Sequence, residues 1–311
     1  RRGSERGHDG RNGMTQALPS VSVIVVSWNR PADLRRCLLA LHQQDHPALE
    51  VRLVADPASC ELALKAMQAA GWTGGVSVNP GGNISLARNI GLRAAQGDLV
   101  AYIDDDAMAE PTWARRLAEA FLDPSIVAAT GYTLGRNGIS LQWGAAEVDA
   151  AGLDHPLPLA TGTQFHTGTP QRAIKPVGTN CAFRRATLMQ VGGFDEAYQF
   201  YLEDADIGLR LAAHGRTAVV PGAQVHHGFA ASDRRLANRV PTDLTQIGAS
   251  SQVFLRRHAG PALWPDALSR LRAEQSDRLA LHRRANRISA AEETRLLATL
   301  EDGIHQGEAR F

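Results

Sequence analysis

The feature that most constrains this chain is the run Val21–Ser27, VSVIVVS, which is apolar almost without interruption. It lacks the in-and-out alternation of a half-exposed strand. A run of this kind reads as a strand covered on both faces, as in a parallel sheet flanked by helices. The following residues keep the same grammar. Pro31 suits the first turn of a helix, and Leu34, Leu38 and Leu41 recur at helical spacing through Gln44. Val51 to Val54 reads as a second strand ending at Asp56-Pro57, residues 60–70 as a helix, and Val76 to Val78 as a third strand. Ser85 is placed to cap a helix that runs to Gln96 and stops at Gly97. Leu99 to Ile103 is a fourth strand, running straight into Asp104-Asp105-Asp106, and Thr112 to Leu122 is an amphipathic helix. Strands alternating with helices predict a doubly wound, mostly parallel α/β sheet.

The second half is less regular. Residues 150–176, rich in Gly, Pro, Thr and His, show no period and read as one long loop, either functional or disordered. A strand near Asn180 to Phe183 and a short helix ending at Gly192-Gly193 come next. A helix from Leu202 to His214 then leads to a strand at Val219-Val220, a Pro221-Gly222 turn and His226-His227. Residues 236–311 read as mostly helical. Residues 1–19, polar and rich in Arg and Gly, are expected to be a disordered leader without a signal-peptide pattern.

Composition removes several classes of function. The chain has 33 basic and 32 acidic residues, a net charge of +1, without the basic surplus of a nucleic-acid binder. No apolar run approaches the roughly 18 residues of a membrane span. Cys37, Cys60 and Cys181 are scattered and odd in number, which fits reduced thiols and a cytoplasmic location. Between Arg256 and Arg287, eight arginines stand against Asp266, Glu274 and Asp277. That stretch has two readings. One is a solvated helical face; the other is peripheral contact with anionic lipid at the inner face of a membrane.

The sharpest chemical feature is Asp104-Asp105-Asp106 at the end of a strand. Strand side chains alternate, so Asp104 and Asp106 share one side while Asp105 points elsewhere. Two carboxylates on one side suit Mg²⁺ or Mn²⁺, and ligands of open α/β sheets lie at the carboxyl ends of strands. The plainer reading is a solvated acidic turn. Asp56 also ends a strand, where it either meets a nucleobase or ribose or simply opens an Asp-Pro turn. Arg88 follows the Gly81-Gly82 bend near a helix start, a place that attracts anions. Glu203-Asp204 opens another helix. Acids there answer the helix dipole, or one of them is a general base. His226-His227 offers an imidazole to the same metal. A G-x-x-x-x-G-K-[ST] loop, G-x-G-x-x-G, H-E-x-x-H and C-x-x-C are all missing.

In order and spacing, three segments resemble glycosyltransferase family 2, the inverting enzymes of GT-A fold. They are VSVIVVSWNRPADLRRCLLALHQQ, NISLARNIGLRAAQGDLVAYIDDDA and CAFRRATLMQVGGFDEAYQFYLEDADIGLRLAAHG. The resemblance implies a GT-A domain over 20–232 and a C-terminal helical extension over 233–311. Within the domain it implies a nucleotide-binding half, 20–110, and an acceptor half, 111–232. It implies a UDP- or dTDP-sugar donor, a glycan or lipid-linked acceptor, and Mn²⁺ or Mg²⁺ as cofactor. It places Ser27, Asn29, Asp56, Arg88, Asp104 and Asp105 with the nucleotide sugar. Asp106 and Asp104 go with the metal, beside His227 or alternatively His226. Asp204 matches the base, with Glu203 as second choice. One departure is Asp56-Pro57-Ala58-Ser59, where the family usually has Asp-Asp-Gly-Ser. Two competing readings are a nucleotide-sugar binder without catalysis and a nucleotidyltransferase. The first would not need the Glu203-Asp204 pair. The second would need a Gly-rich loop where Ser27-Trp28-Asn29-Arg30 stands.

Overall fold

A computed structural model of the protein describes residues 17–228 and 230–310. The leader expected over 1–19 therefore lies outside the described residues as far as residue 16. The first part of the chain alternates as expected: β1 (Val21–Ser27), α1 (Pro31–Leu41), β2 (Leu49–Ala55), α2 (Pro57–Ala70), β3 (Gly74–Val78), α3 (Ile84–Ala94) and β4 (Leu99–Asp104). Next come β5 (Ala107–Ala109), α4 (Trp113–Ala120), β6 (Ile126–Leu134), β7 (Leu141–Trp143), β8 (Ala146–Asp149) and β9 (Asp154–Pro156). They are followed by β10 (Gln164–His166), β11 (Arg172–Ile174), β12 (Asn180–Arg184), α5 (Arg185–Gln190), α6 (Glu203–Leu211) and β13 (Arg216–His227). Three helices come last: α7 (Thr245–His258), α8 (Trp264–Arg284) and α9 (Ala290–Ala309).

The main sheet runs β10-β13-β6-β12-β4-β1-β2-β3, with β5 added on β13 and β7 on β6. β1 lies between β2 and β4 and is parallel to both. Its residues pack on alternate faces. Val21, Val23 and Val25 join Leu34 of α1 and Trp113 of α4, while Ile24 joins Leu92 of α3, Tyr102 and Phe183. Burial on both faces is why VSVIVVS shows no polar alternation. The sheet is mixed, because β12 runs antiparallel between β4 and β6.

Three local expectations are corrected. The stretch 150–176 is not one long loop. It carries β9 and β11, which flank β8 in a small antiparallel sheet, and β10, which extends the main sheet. Three-residue strands are too short to show a period. The cap of α3 is Asn83, whose side chain accepts from Leu86 N at 3.0 Å. Ser85 is instead buried inside the helix and donates to Tyr198 O at 2.7 Å. Pro221-Gly222 is not a turn between elements but part of β13, whose register with β6 shifts between Val220 and Val225. The buried Asn180 serves that irregularity. Its amide donates to Ala223 O at 2.8 Å and Tyr132 O at 3.0 Å, and it accepts from Trp113 Nε1 at 2.8 Å. Carbonyls freed from the ladder thus keep partners.

The last three helices pack around Leu244, Leu271, Leu279, Leu296, Leu300 and Ile304. α7 also docks on α6, through Ser250 Oγ to Phe200 O at 2.7 Å and His258 Nε2 to Asp206 Oδ1 at 2.8 Å. No described helix is long and apolar enough to cross a membrane.

Candidate functional site

The side-chain alternation of β4 decides what the acidic triplet does. Asp105 continues the parity of Ala101 and Ile103 and turns toward the α1 side of the sheet, where it is fully buried. Ser27 Oγ donates to it at 2.7 Å, and Arg30 Nη2 lies 2.6 Å away. Burial pushes its carboxyl up to about 7, against the opposing pull of Arg30 and Ser27. Asp105 and Ser27 are thus buried together on the α1 side of the sheet and do not line the cavity described below.

Asp104 and Asp106 converge with His227. His227 Nε2 lies 3.1 Å from Asp106 Oδ1 and 3.8 Å from Asp104 Oδ2. β13 brings it there by pairing His227 with Ala107 of β5, one residue past the triplet. The Gln142 amide meets His227 Nδ1 at 2.9 Å, which aims Nε2 at the carboxylates. Asp104 also accepts from Thr179 Oγ1 at 2.6 Å. Burial alone would raise the Asp106 carboxyl. The His227 bond and charge, Arg30 and the Ala230 amide outweigh it and hold Asp106 down at about 2. One ligand atom from each of Asp104, Asp106 and His227 falls within 4.8 Å of the others. Two carboxylate oxygens and an imidazole are a donor set that suits Mn²⁺ or Mg²⁺. His226 points the other way along β13 and meets Glu110 Oε1 at 2.5 Å, so of the two histidines only His227 lies beside Asp104 and Asp106.

Glu203 and Asp204 begin α6 directly after two non-glycine residues at positive φ, Tyr201 (78°) and Leu202 (67°). Such backbone is strained and persists only where packing holds it. Leu202 is buried among Val148, Tyr198 and Phe254. The two acids have different surroundings. Glu203 is buried, with Oε1 on Arg88 Nη1 at 2.8 Å and Oε2 without a hydrogen-bond partner. Burial raises its pKa despite Arg88. Asp204 is half-buried and accepts from Ala205 N at 2.8 Å and, at a long 3.3 Å, from Gly178 N.

One cavity of about 490 Å³ takes in Asp104, Asp106 and His227 together with Glu203 and Asp204. Arg88 joins the two groups, since its Nη2 also lies 4.0 Å from Asp104 Oδ1. It is buried, and its pKa is raised: burial opposes this, but Glu203 and Asp104 outweigh it. Asp56 does not line this cavity. It caps α2, accepting from Ala58 N, Ser59 N and the amide of Asn29, so the turn reading describes its geometry. Asn29 is likewise absent from the cavity wall. Sequence reasoning missed the residues that close the cavity from outside the sheet: Arg234, Arg235, Gln246, Gln275 and Arg278. Of these, only Arg278 falls in the arginine-rich stretch 256–287 that the sequence marks.

Comparison with known proteins identifies the family and the fold. The model of the family described as "Glycosyltransferase like family 2" matches residues 19–241. The O-antigen biosynthesis protein RfbC of Myxococcus xanthus is 26% identical over 242 residues, 73% of this chain and 18% of that protein. An N-acetylglucosaminyl-diphospho-decaprenol L-rhamnosyltransferase of Mycobacterium tuberculosis is 41% identical over 86 residues, 27% of each chain. The chain thus spans less than a third of the length of these two relatives. Among solved structures, GalNAc-T7 with UDP, GalNAc and Mn²⁺ superposes with TM-score 0.58 at 18% identity, covering 78% of this chain and 48% of that one. S. aureus TarS 1-349 in complex with UDP-GlcNAc gives TM-score 0.52 at 17% identity, covering 76% and 66%. These likenesses show a GT-A fold. With 19–241 matched, the chain belongs to the glycosyltransferase-like family 2.

Proposed function

We propose that the chain is an inverting glycosyltransferase, moving a sugar from a nucleoside-diphosphate sugar to a hydroxyl of a glycan or lipid-linked acceptor. The observation that carries this reading is the single cavity shared by the Asp104, Asp106 and His227 cluster and by Asp204. Its volume of about 490 Å³ is within the usual range for small-molecule sites. A UDP-sugar is favoured over a dTDP-sugar, because GalNAc-T7 and TarS were both solved with UDP or a UDP-sugar. A lipid-linked acceptor is supported by the relative named for a diphospho-decaprenol substrate. In this reading residues 20–110 carry the nucleotide side of the domain 20–232, and 111–232 the acceptor side. The protein works in the cytoplasm, with peripheral membrane contact through the extension 233–311.

Asp104, Asp106 and His227 would hold Mn²⁺ or Mg²⁺, which supplies positive charge against the diphosphate as it leaves. Asp204 takes the proton of the acceptor hydroxyl while its oxygen bonds the anomeric carbon and the bond to the diphosphate breaks. Attack from the face opposite the leaving group inverts that centre. Glu203 is the weaker candidate for the base, since Arg88 occupies it. Its role is to hold Arg88 and the start of α6 in place. The intact Asp204 favours an enzyme over a nucleotide-sugar binder, and family membership disfavours a nucleotidyltransferase.

The test is Asp204→Asn, assayed by release of UDP from a panel of UDP-sugars with Mn²⁺. Turnover is expected to fall by about 10²–10⁴, the usual contribution of a general base. UDP affinity should change less than about twofold. Turnover near wild type would remove Asp204 from the role.

A further inference from the structure

Arg234, Arg235 and Arg278 line the cavity, yet the chemistry above gives them no work. Arg234 and Arg235 lie between β13 and α7, and Arg278 is on α8. The Arg234 guanidinium stacks 4.8 Å from the centre of the Phe200 ring, and its Nη2 donates to Gly82 O at 3.0 Å. Arg235 Nη2 donates to Ala230 O at 3.1 Å. Among the described residues, Arg278 hydrogen-bonds only to Gln275 Oε1, at a long 3.4 Å. Among the described residues, no carboxylate comes within 4.0 Å of Arg234 or Arg278. The other cavity arginines differ. Arg88 is paired with Glu203, and Arg30 with Asp105.

Each guanidinium carries five N–H donors in a planar fork, so most donors of Arg234 and Arg278 remain for a ligand. All three arginines have lowered pKa values, first through burial. At Arg278 the charge of Arg235 adds to this and Tyr201 opposes it; at Arg235, Asp106 and Asp104 pull the other way while Arg30 and Arg239 add repulsion. For Arg234 the charges of Asp233, Glu203 and Asp243 work the other way. Asp104, Asp106, Glu203, Asp204 and Asp243 line the same cavity, but among the described residues none of them forms an ion pair with Arg234 or Arg278, so the N–H donors of these two guanidinium groups stay open to an incoming anion.

We propose that Arg234 and Arg278, with Arg235, form an oxyanion subsite for a phosphate group carried by a substrate. Two sources share that chemistry: the donor's diphosphate, and a phosphate next to the sugar of the acceptor. The acceptor is favoured, because Arg278 lies beyond the matched residues 19–241, in the part of the chain that the family model does not cover. This choice of source rests on the transferase reading; the subsite itself does not.

The experiment is calorimetric titration of N-acetylglucosamine 1-phosphate into the full chain saturated with UDP and Mg²⁺. Wild type, Arg234→Gln, Arg278→Gln and the charge-keeping Arg278→Lys are compared, with melting temperatures read on the same samples. Wild type is expected to bind with UDP in place. Each Gln variant should lose about tenfold in affinity, the equivalent of one charge-assisted hydrogen bond. The Lys variant should fall between them, and UDP affinity should stay unchanged. If the sugar phosphate binds only without UDP, and the Gln variants weaken UDP tenfold, the acceptor assignment is overturned in favour of the donor diphosphate. Equal sugar-phosphate and UDP affinities in wild type and both Gln variants, at unchanged melting temperatures, overturn the subsite. If wild type fails to bind UDP with Mg²⁺, the transferase reading falls instead, and titration of the UDP-free chain still decides the arginines.

Discussion

Arg88 and Glu203 come from helices 115 residues apart and meet at 2.8 Å with both side chains almost out of water. Arg88→Met removes the only ion-pair partner that the buried Glu203 carboxylate, whose Oε2 already has no hydrogen bond, has among the described residues. Removing one member of a buried ion pair costs about 3–5 kcal/mol. At about 2 °C per kcal/mol for a chain of this size, the melting temperature should fall by about 6–10 °C. Glu203→Leu has a similar consequence, because Arg88 is left with Asp104 at 4.0 Å as its nearest acid. The double variant Arg88→Met/Glu203→Leu should cost no more than either single change, about 3 kcal/mol, where independent sites would sum to about 6. Urea unfolding followed by circular dichroism measures the cycle. A pH series adds a second readout. Without Arg88, the Glu203 pKa rises further above its unfolded value. The stability of Arg88→Met is then fully present below that unfolded value and is lost as pH rises through the folded one. Its deficit against wild type should therefore be larger at pH 8 than at pH 5. Additive single costs and a pH-independent deficit would refute the view that this pair is one buried unit.

The remaining predictions concern neighbouring parts of the molecule. His227→Ala should weaken the Mn²⁺-dependent thermal shift by UDP, whereas His226→Ala, which removes only a contact to Glu110, should leave it intact; equal losses would count against the cluster. Gly131→Ala would put a Cβ 1.8 Å from Ala223 O, beneath the irregular stretch of β13, and should destabilise the chain by about 3 kcal/mol or more in urea. Asp206 has a lowered pKa: burial opposes this, but His258 and Arg210 outweigh it. Its stabilisation is therefore complete above its ordinary 3.8 and lost as pH falls through the lower folded value. The stability gap between wild type and Asp206→Asn should close as the solution is acidified below that point.

Much of the sheet was legible because its signal is local. VSVIVVS and LVAYID are strands buried on both faces, Pro31 and Gly97 punctuate the elements between them, and Gly215 separates α6 from β13. The parity of β4 separated Asp105 from Asp104 and Asp106 before any coordinates. Less local features stayed hidden. β6 is rich in Ala, Thr and Gly, and the strands within 150–176 are three residues long, so neither carries a periodic mark. Ser85 resembled a cap, but its hydroxyl goes to Tyr198, a partner 113 residues away.

Sequence by itself determined the alternation of the sheet, the acidic end of β4 and the acids that open α6, because each depends on neighbours within a few residues. Only the tertiary structure decided that His227 rather than His226 meets the carboxylates. The same is true of Glu203 being taken by Arg88 while Asp204 stays available, and of Arg234, Arg235 and, from α8, Arg278 lining the cavity. Those outcomes depend on the register of β13 against β5 and on the docking of α7 against α6. Register and docking are set by packing between segments far apart in the chain, and no local pattern encodes them.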